Sequence, residues 1–200
     1  MNTASALPEQ VFLFPLSTVL FPGGQLPLKV FEQRYLEMAK ICLRDNLPFG
    51  ISLIKEGRET GTPAVPETIG CLAHIRHWEM PQLGVFQLLV EGGERFQIIN
   101  SSVAKSGLIS VRIKHLSAEG DDAPHEPLCG EVLKAIIDKV GGKYFPPPYR
   151  FDSADWIGYR LSEVLPFSLA DKQQLLQMTD PQIRLSYLSG LLAQQGVGTD

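Results

Sequence analysis

The sequence predicts an α+β protein in which a small antiparallel β-barrel, residues 1–120, is followed by a four-helix bundle, residues 121–200. Three observations predict this fold. Hydrophobic and polar residues alternate through much of the first part, which is typical of half-buried strands. After the proline-containing stretch 119–127 the hydrophobic residues recur at three and four positions, which is typical of amphipathic helices. The 200 residues are 44% hydrophobic and 20% charged, an ordinary globular composition.

Six or seven short strands are predicted in the first part, which is enough for a closed or nearly closed barrel. They are expected over residues 11–14, 26–31, 49–54, 69–75, 86–90, 96–98 and 109–113. Turn residues separate the later strands at 81–84, at Gly92-Gly93 and at Ser106-Gly107. Because glycine accepts the positive φ angles of a tight hairpin, these strands are predicted to form an antiparallel meander.

One helix is predicted inside the barrel sequence. It begins just after Phe31 and ends at Asn46 and Pro48. Its apolar face has helical spacing and consists of Tyr35, Met38, Ala39 and Cys42.

Four helices are predicted after residue 120. The first ends at Gly141-Gly142, and the second runs from about Ser153 to Pro166. Ser168 with Asp171 is a capping-box pattern that opens the third helix, and Asp180-Pro181 opens the fourth. The residues expected on the inward faces are Cys129, Val132, Leu133, Ile136, Ile137 and Val140, then Ile157, Leu161, Val164 and Leu165, then Leu185, Leu188 and Leu192 with Ile183, Tyr187 and Leu191 beside them.

The charge distribution argues against nucleic acid as a partner. Residues 1–120 carry 11 acidic and 11 basic side chains, and residues 121–200 carry 11 acidic and 7 basic. Binding of nucleic acid depends on several Lys or Arg residues that neutralise phosphates. The nearest candidates are Arg76 and His77 on one strand and Arg112, Lys114 and His115 on another, which also suit a solvated sheet face.

The cysteines and the hydropathy predict a cytoplasmic protein. Cys42, Cys71 and Cys129 are far apart, odd in number and set in apolar patterns, so they are expected to be buried and reduced. No apolar run approaches the ~18 residues of a membrane span. Membrane insertion is therefore not expected.

Known catalytic and metal-binding motifs do not fit the sequence. Gly141-Gly142-Lys143 follows a predicted helix and lacks the next Ser or Thr of a P-loop. His74 and His77 are three apart on a predicted strand, so they point to opposite faces. The acidic pairs, Asp121-Asp122 and Asp152 with Asp155, lie in a loop and at a helix start, where carboxylates favour the helix dipole. No catalytic residue, metal or cofactor is expected, and the chain is predicted not to be an enzyme.

Two unusual segments are candidates for binding a polypeptide. Residues 19–28 are apolar but interrupted by prolines and glycines, and residues 144–151 place four aromatic residues around a proline triplet. Rigid aromatic and proline surfaces offer contact area at low entropic cost. The candidate peptide-binding residues are Phe21, Leu26, Tyr144, Phe145 and Tyr149. The alternative is that both segments pack between barrel and bundle.

The sequence V-L-F-P-G at 19–23, followed by P-L-K-V-F-E-Q-R-Y at 27–35, resembles the signature of the Lon protease N-terminal, substrate-binding domain family. The resemblance continues at 49–51, 69–71, 89–92, 95–96, 161–165 and 171–176, but segment 144–151 does not match it. It implies a PUA-like pseudo-barrel with a helical bundle behind it. It also implies a stand-alone relative without the ATPase and protease domains, since the catalytic serine and lysine of the family have no matching positions.

The resemblance also suggests a function and roles for the signature residues. It implies a non-catalytic module that recognises unfolded or degron-bearing polypeptides, with a protease as a candidate partner. Two alternatives stay open: an RNA-binding module, because PUA-like barrels often bind RNA, and an enzyme whose site these motifs do not reveal. Phe31 and Tyr35 are expected in the core, Pro22-Gly23 in a turn, and Glu32 with Arg34 in an ion pair.

Overall fold

The computed structural model describes residues 8–120, 122–141 and 145–196. The chain divides into two compact units, Met1–Leu116 and Ser117–Asp200. The first unit contains six strands and one helix in the described ranges: β1 Gln10–Leu16, β2 Gln25–Val30, α1 Gln33–Asp45, β3 Phe49–Glu56, β4 Val65–Gln82, β5 Val85–Val103 and β6 Ile109–Leu116. The second contains four helices: α2 Pro127–Val140, α3 Ala154–Val164, α4 Leu169–Gln177 and α5 Pro181–Gln194. The predicted α+β class is confirmed.

Five strands of the first unit close into a ring. Each of β5, β4, β3, β1 and β6 pairs with the next, and β6 pairs back with β5. The strand β2 pairs along the outside with β5. All these pairings are antiparallel except that of β1 with β3, which is parallel. The prediction of a wholly antiparallel sheet is wrong at this pair, because β2 and α1 form a crossover that brings β3 back in the direction of β1.

The strand β5 runs without a turn through Gly92-Gly93, where the sequence predicted a hairpin. The first half of β5 pairs with β2, the second half pairs with β6, and β4 pairs with both halves. These two positions need glycine because other groups of the protein approach their Cα atoms closely, and not because their backbone has a positive φ. A Cβ on Gly92 would overlap the carbonyl oxygen of Phe21. The N–H of Gly92 donates to the Gly24 carbonyl at 2.8 Å, and the N–H of Gly23 donates to the Gly92 carbonyl at 2.7 Å.

The helix α1 covers the larger core cluster of the barrel. Its predicted apolar face is buried, and the Tyr35 ring stacks on Phe14 with ring centroids 4.0 Å apart. The expected ion pair is present, with Arg34 Nη2 3.0 Å from Glu32 Oε2. Phe31, expected in the core, is 53% exposed. It follows the buried Val30, and alternation along the extended chain points its side chain to the opposite side.

In the second unit, α3 contacts each of the other three helices. The N-cap residues predicted for α4 and α5 are confirmed, since the side chain of Ser168 accepts from the Asp171 N–H and that of Asp180 accepts from two first-turn N–H groups. Three residues expected on or beside the inward stripes are exposed instead: Val140, Val164 and Ile183. Each lies in the first or last turn of its helix, where the neighbouring helices no longer cover it.

A buried arginine holds three helices of the second unit together. Arg184 in α5 has no exposed surface, and its guanidinium lies 4.1 Å over the ring of Tyr159. Its Nη1 donates to Asp155 Oδ1 at 2.5 Å, and its Nε donates to the Leu175 carbonyl at 3.1 Å. Its Nη2 donates to the Met178 carbonyl. One side chain therefore joins α3, α4 and α5. Among the described residues, no helix is long and apolar enough to cross a bilayer.

Candidate functional site

The structure describes four of the five sequence-predicted binding residues and places them in different environments. Phe21 and Phe145 are buried, so neither offers a surface to a ligand in this conformation. Tyr144 lies outside the described residues. Leu26 is half-buried on β2 in the first unit, and Tyr149 is 39% exposed in the second. Leu26 and Tyr149 therefore remain as accessible candidates.

Leu26 belongs to an apolar surface that sequence reasoning did not identify. This surface lies on β2, β5 and β4, and we call it the apolar sheet face. Its accessible residues are Leu26, Leu28, Ile75, Trp78 and Met80. Cross-strand partners share a face of a sheet. The register aligns Leu26 with Val90 and Ile75 in one row, and Leu28 with Leu88 and Trp78 in the next.

This face continues the hydrophobic core out to solvent. The central residues of the two rows, Val90 and Leu88, are buried, whereas Trp78 is 49% and Met80 41% exposed. The Trp78 ring packs edge-on against the buried Phe86, with centroids 5.7 Å apart. At the hairpin tip, Leu83 is 97% exposed. Trp78 and Met80 alternate with polar residues, but they are out of phase with Ile75. The irregularity between Ile75 and His77 brings them to the face of Ile75, so the sequence pattern alone did not reveal this surface.

The opposite face of the same three strands is mostly polar and balanced in charge, with Pro27 and Leu89 as its apolar residues. A shallow groove of about 310 Å³ lies there, with Lys29, Gln87 and Glu79 in one cross-strand row. Nearby, Arg76 Nε lies 2.9 Å from Glu91 Oε2. Positive charge is therefore offset locally by carboxylates, and this face has no concentrated basic surface for a phosphate backbone.

The strand β2 is an edge of the sheet, because among the described strands it pairs only with β5. Pro27 lies in the middle of it and has no N–H to donate, so its nitrogen faces away from β5. By alternation, the backbone groups of Gln25, Pro27 and Lys29 point to the open edge. At this edge the carbonyls of all three residues can accept hydrogen bonds, but only Gln25 and Lys29 have an N–H group that can donate one.

Tyr149 belongs to an aromatic cluster of the second unit. Its ring centroid lies 6.0 Å from that of Phe151 and 6.3 Å from that of Trp156, and the last two rings meet edge-on at 5.4 Å. Trp156 lies in the first turn of α3, whose N-cap Ser153 accepts from the Trp156 N–H. The cap thus fixes the position of one ring, on which the other two pack.

The titratable groups form no candidate metal site in the part of the chain that the structure describes, and two of the buried thiols are kept protonated. No group of three or more His, Cys, Asp or Glu residues there could hold a metal ion. Burial raises the pKa of Cys42 to about 11 and also raises the pKa of Cys129, so both thiols stay protonated at neutral pH. Asp155, one of the candidate carboxylates, is paired with Arg184.

Comparison with known proteins places the chain in one family. The model of the ATP-dependent protease La (LON) substrate-binding domain matches residues 10–194. The Lon protease of Paraburkholderia phytofirmans is 30% identical over 194 residues, which are 92% of this chain and 24% of that protein. The Lon protease of Escherichia coli K12 is 23% identical over 209 residues, which are 98% of this chain and 26% of that protein. The chain thus spans about a quarter of the length of these curated relatives.

Solved structures agree with the family match. The Lon N-terminal domain protein from Xanthomonas campestris has a TM-score of 0.76 and 32% identity, with 90% of this chain and 97% of that chain covered. The N-terminal domain of the Mycobacterium avium complex Lon protease has a TM-score of 0.66 at 17% identity, which supports the fold alone. The family model and the match to the Xanthomonas campestris protein each cover nine-tenths or more of this chain. The chain therefore belongs to the family of the Lon substrate-binding domain.

Proposed function

We propose that this protein is a non-catalytic module that binds unfolded or degron-bearing polypeptides along the apolar sheet face of its first unit. The observation that carries the proposal is the continuation of the core face of β2, β5 and β4 into the exposed side chains of Trp78 and Met80. Exposed apolar surface of this kind is typical of protein interaction sites. Membership of a substrate-binding domain family supports the same function.

An extended segment can use two features of this face at once. Its apolar side chains can pack on Trp78, Met80 and Leu28. Its backbone can pair with the open edge of β2, where Pro27 limits the number of hydrogen bonds and so favours short segments. Covering the exposed half of Trp78, about 100 Å², contributes about 2–3 kcal/mol.

The second unit supplies a further proposed contact at the aromatic cluster of Tyr149, Phe151 and Trp156. Tyr149 is its most exposed ring, and it carries a hydroxyl that can pair with a peptide backbone. The cluster is small, so we assign it a supporting contribution. The larger apolar surface lies in the first unit.

The partner and the compartment follow from the same proposal. The family relation suggests a protease that acts on the bound polypeptide, and buried reduced cysteines suit the cytoplasm. RNA is the alternative ligand for a PUA-like barrel. The equal numbers of acidic and basic residues in 1–120, and the Arg76–Glu91 pair, favour polypeptide over RNA.

Fluorescence anisotropy tests this function, with labelled unfolded peptides and an RNA oligomer of equal length as probes. We expect peptide binding to survive raised salt and to weaken at least tenfold in the double variant Trp78→Ser/Met80→Ser, because a tenfold loss corresponds to about 1.4 kcal/mol. Ile99→Ser is the matched control, since Ile99 is similarly exposed on β5 but lies outside the apolar sheet face. Tyr149→Ala is expected to weaken binding to a lesser extent.

Two results would contradict the proposal. Binding of RNA but not of peptide, with an affinity that falls as salt rises, would favour the RNA-binding alternative. Equal losses in the double variant and in Ile99→Ser would show that the apolar sheet face has no special role.

A further inference from the structure

A second apolar site lies in the first unit, between the end of α1 and the strands β1 and β6. It is a half-open cavity of about 270 Å³. Its lining residues are Pro8, Gln10, Val11, Phe12, Ile41, Cys42, Leu47, Pro48 and Ser110. These differ entirely from the residues of the apolar sheet face.

The local structure holds this cavity open. The helix α1 ends at Asn46, which has a left-handed backbone conformation with φ of 51°, and both Asn46 and Leu47 donate their N–H groups to the Cys42 carbonyl. This turn places Leu47 and Pro48 on one side of the cavity. Across from them, the Pro8 carbonyl lies 3.0 Å from His115 Nε2, and the Ile113 N–H donates to the Glu9 carbonyl at 2.8 Å. Both walls are therefore fixed by hydrogen bonds.

The lining selects an uncharged occupant. It contains no Lys, Arg, Asp or Glu side chain, and its one titratable group, the Cys42 thiol, is kept protonated because burial raises its pKa. A charged side chain would lose its hydration there without gaining a partner. Gln10 and Ser110 provide an amide and a hydroxyl that can pair with a single polar group of an otherwise apolar molecule.

The volume selects an occupant larger than one benzene ring. A cavity of about 150 Å³ is known to accept benzene, and this one measures about 270 Å³. A bicyclic indole therefore fits with space for its attachment to a chain. Phe12 and Ile41 offer the aromatic and aliphatic surfaces on which such a ring can pack.

We propose that this cavity receives one large uncharged side chain, that of a tryptophan, of the bound polypeptide. This inference rests on the proposed function and adds the kind of residue that anchors the segment. An aromatic anchor in a pocket, with the remaining segment on a more open surface, is a common arrangement in protein recognition.

The first experiment uses indole alone as the probe. Carbon–proton NMR spectra of methyl-labelled protein are recorded during titration with indole. We expect shifts at the methyl groups of Ile41 and Leu47, and no shifts at Ile99. Ser110→Phe places a ring inside the cavity and should abolish the shifts, and Gln10→Phe, at the exposed rim, provides a second variant should the first not fold. Thr68→Phe, on an exposed part of β4 outside the lining, is the matched control.

The second experiment compares two labelled peptides that differ only by tryptophan or serine at one position. We expect the tryptophan peptide to bind at least tenfold more tightly to the native protein, and this preference to disappear in the cavity-filling variants but not in Thr68→Phe. If the Trp78→Ser/Met80→Ser double variant lowers peptide binding while cavity filling does not change the preference, the cavity assignment is wrong and the proposed function stands. Shifts with indole but no binding of either peptide would overturn both the proposed function and the side-chain assignment. Absence of shifts at Ile41 and Leu47 would overturn the cavity assignment directly.

Discussion

Replacement of Arg184 by methionine should destabilise the second unit more than any comparable change at its surface. The substitution keeps most of the apolar stem but removes the guanidinium, which is fully buried. The carbonyls of Leu175 and Met178 then lose their donor, and Asp155 loses its ion-pair partner. Each loss costs about 1 kcal/mol, and the one-quarter exposure of Asp155 allows that carboxylate to recover part of its hydration. We therefore expect the free energy of unfolding to fall by about 3 kcal/mol.

Urea denaturation followed by tryptophan fluorescence measures this change. In a Trp78→Phe background the remaining tryptophan, Trp156, reports on the second unit. Arg150→Met is the matched control, because Arg150 is 60% exposed and lies 4.0 Å from Asp122, and we expect it to cost less than about 0.5 kcal/mol. A double-mutant cycle with Asp155→Asn then isolates the ion pair. A loss below about 1 kcal/mol for Arg184→Met, or one equal to that of Arg150→Met, would refute this reasoning.

Other substitutions test further parts of both units. Burial raises the pKa of Glu163 to about 7, so the folded state retains a proton that the unfolded chain releases. The free energy of unfolding should therefore decrease as pH rises from about 4.5 to about 7, and urea denaturation across this range should show that Glu163→Gln removes the decrease. An unchanged slope would exclude Glu163 as its source. Gly92→Ala should lower the thermal midpoint by several degrees, consistent with a cost of about 1–3 kcal/mol, because its Cβ would overlap the Phe21 carbonyl. Gly190→Ala, in α5 with open space around the added Cβ, should instead raise stability by about 1 kcal/mol in the same assay, and a fall would show a contact the structure lacks. Asp180→Ala should cost about 1 kcal/mol in urea denaturation because two N–H groups at the start of α5 lose their acceptor, whereas Asp180→Asn should cost less.

Local patterns were sufficient to predict most of the elements but not all their bounds or pairings. The face of α1 with Tyr35 and Met38 and the caps at Ser168 and Asp180 depend on residues close in sequence, and the structure confirms them. The parallel pairing of β1 with β3 depends on the path of the chain between them, which periodicity does not encode. Gly92 is informative in the same way. The sequence correctly marked this position as one that needs glycine. The reason is the close approach of the Phe21 carbonyl, which is distant in sequence and cannot be deduced from the neighbouring residues.

The candidate site was less predictable than the fold for a related reason. A sequence segment with an aromatic residue beside prolines and glycines does not show whether the aromatic side chain is buried or exposed. In the structure, Phe21 is buried by the strands around it. The exposure of Trp78 results from the length of the β4–β5 hairpin, which carries the strand pattern beyond the barrel. The burial of Arg184 was also not predictable, because its acceptors come from other elements, Asp155 from α3 and the carbonyls of Leu175 and Met178 from the end of α4.

Closure of the five-stranded ring has a consequence for how the first unit can fold during synthesis. The ring is completed by pairing Gln10 with Arg112 and Leu13 with Ile109, residues about one hundred positions apart. Until β6 has left the ribosome, β1 and the second half of β5 both present open edges, and such edges invite pairing with other chains. Pairing of such distant segments is also intrinsically slow. The first unit therefore cannot close its barrel until residue 116 has been synthesised, and its strand edges stay open to other chains until then.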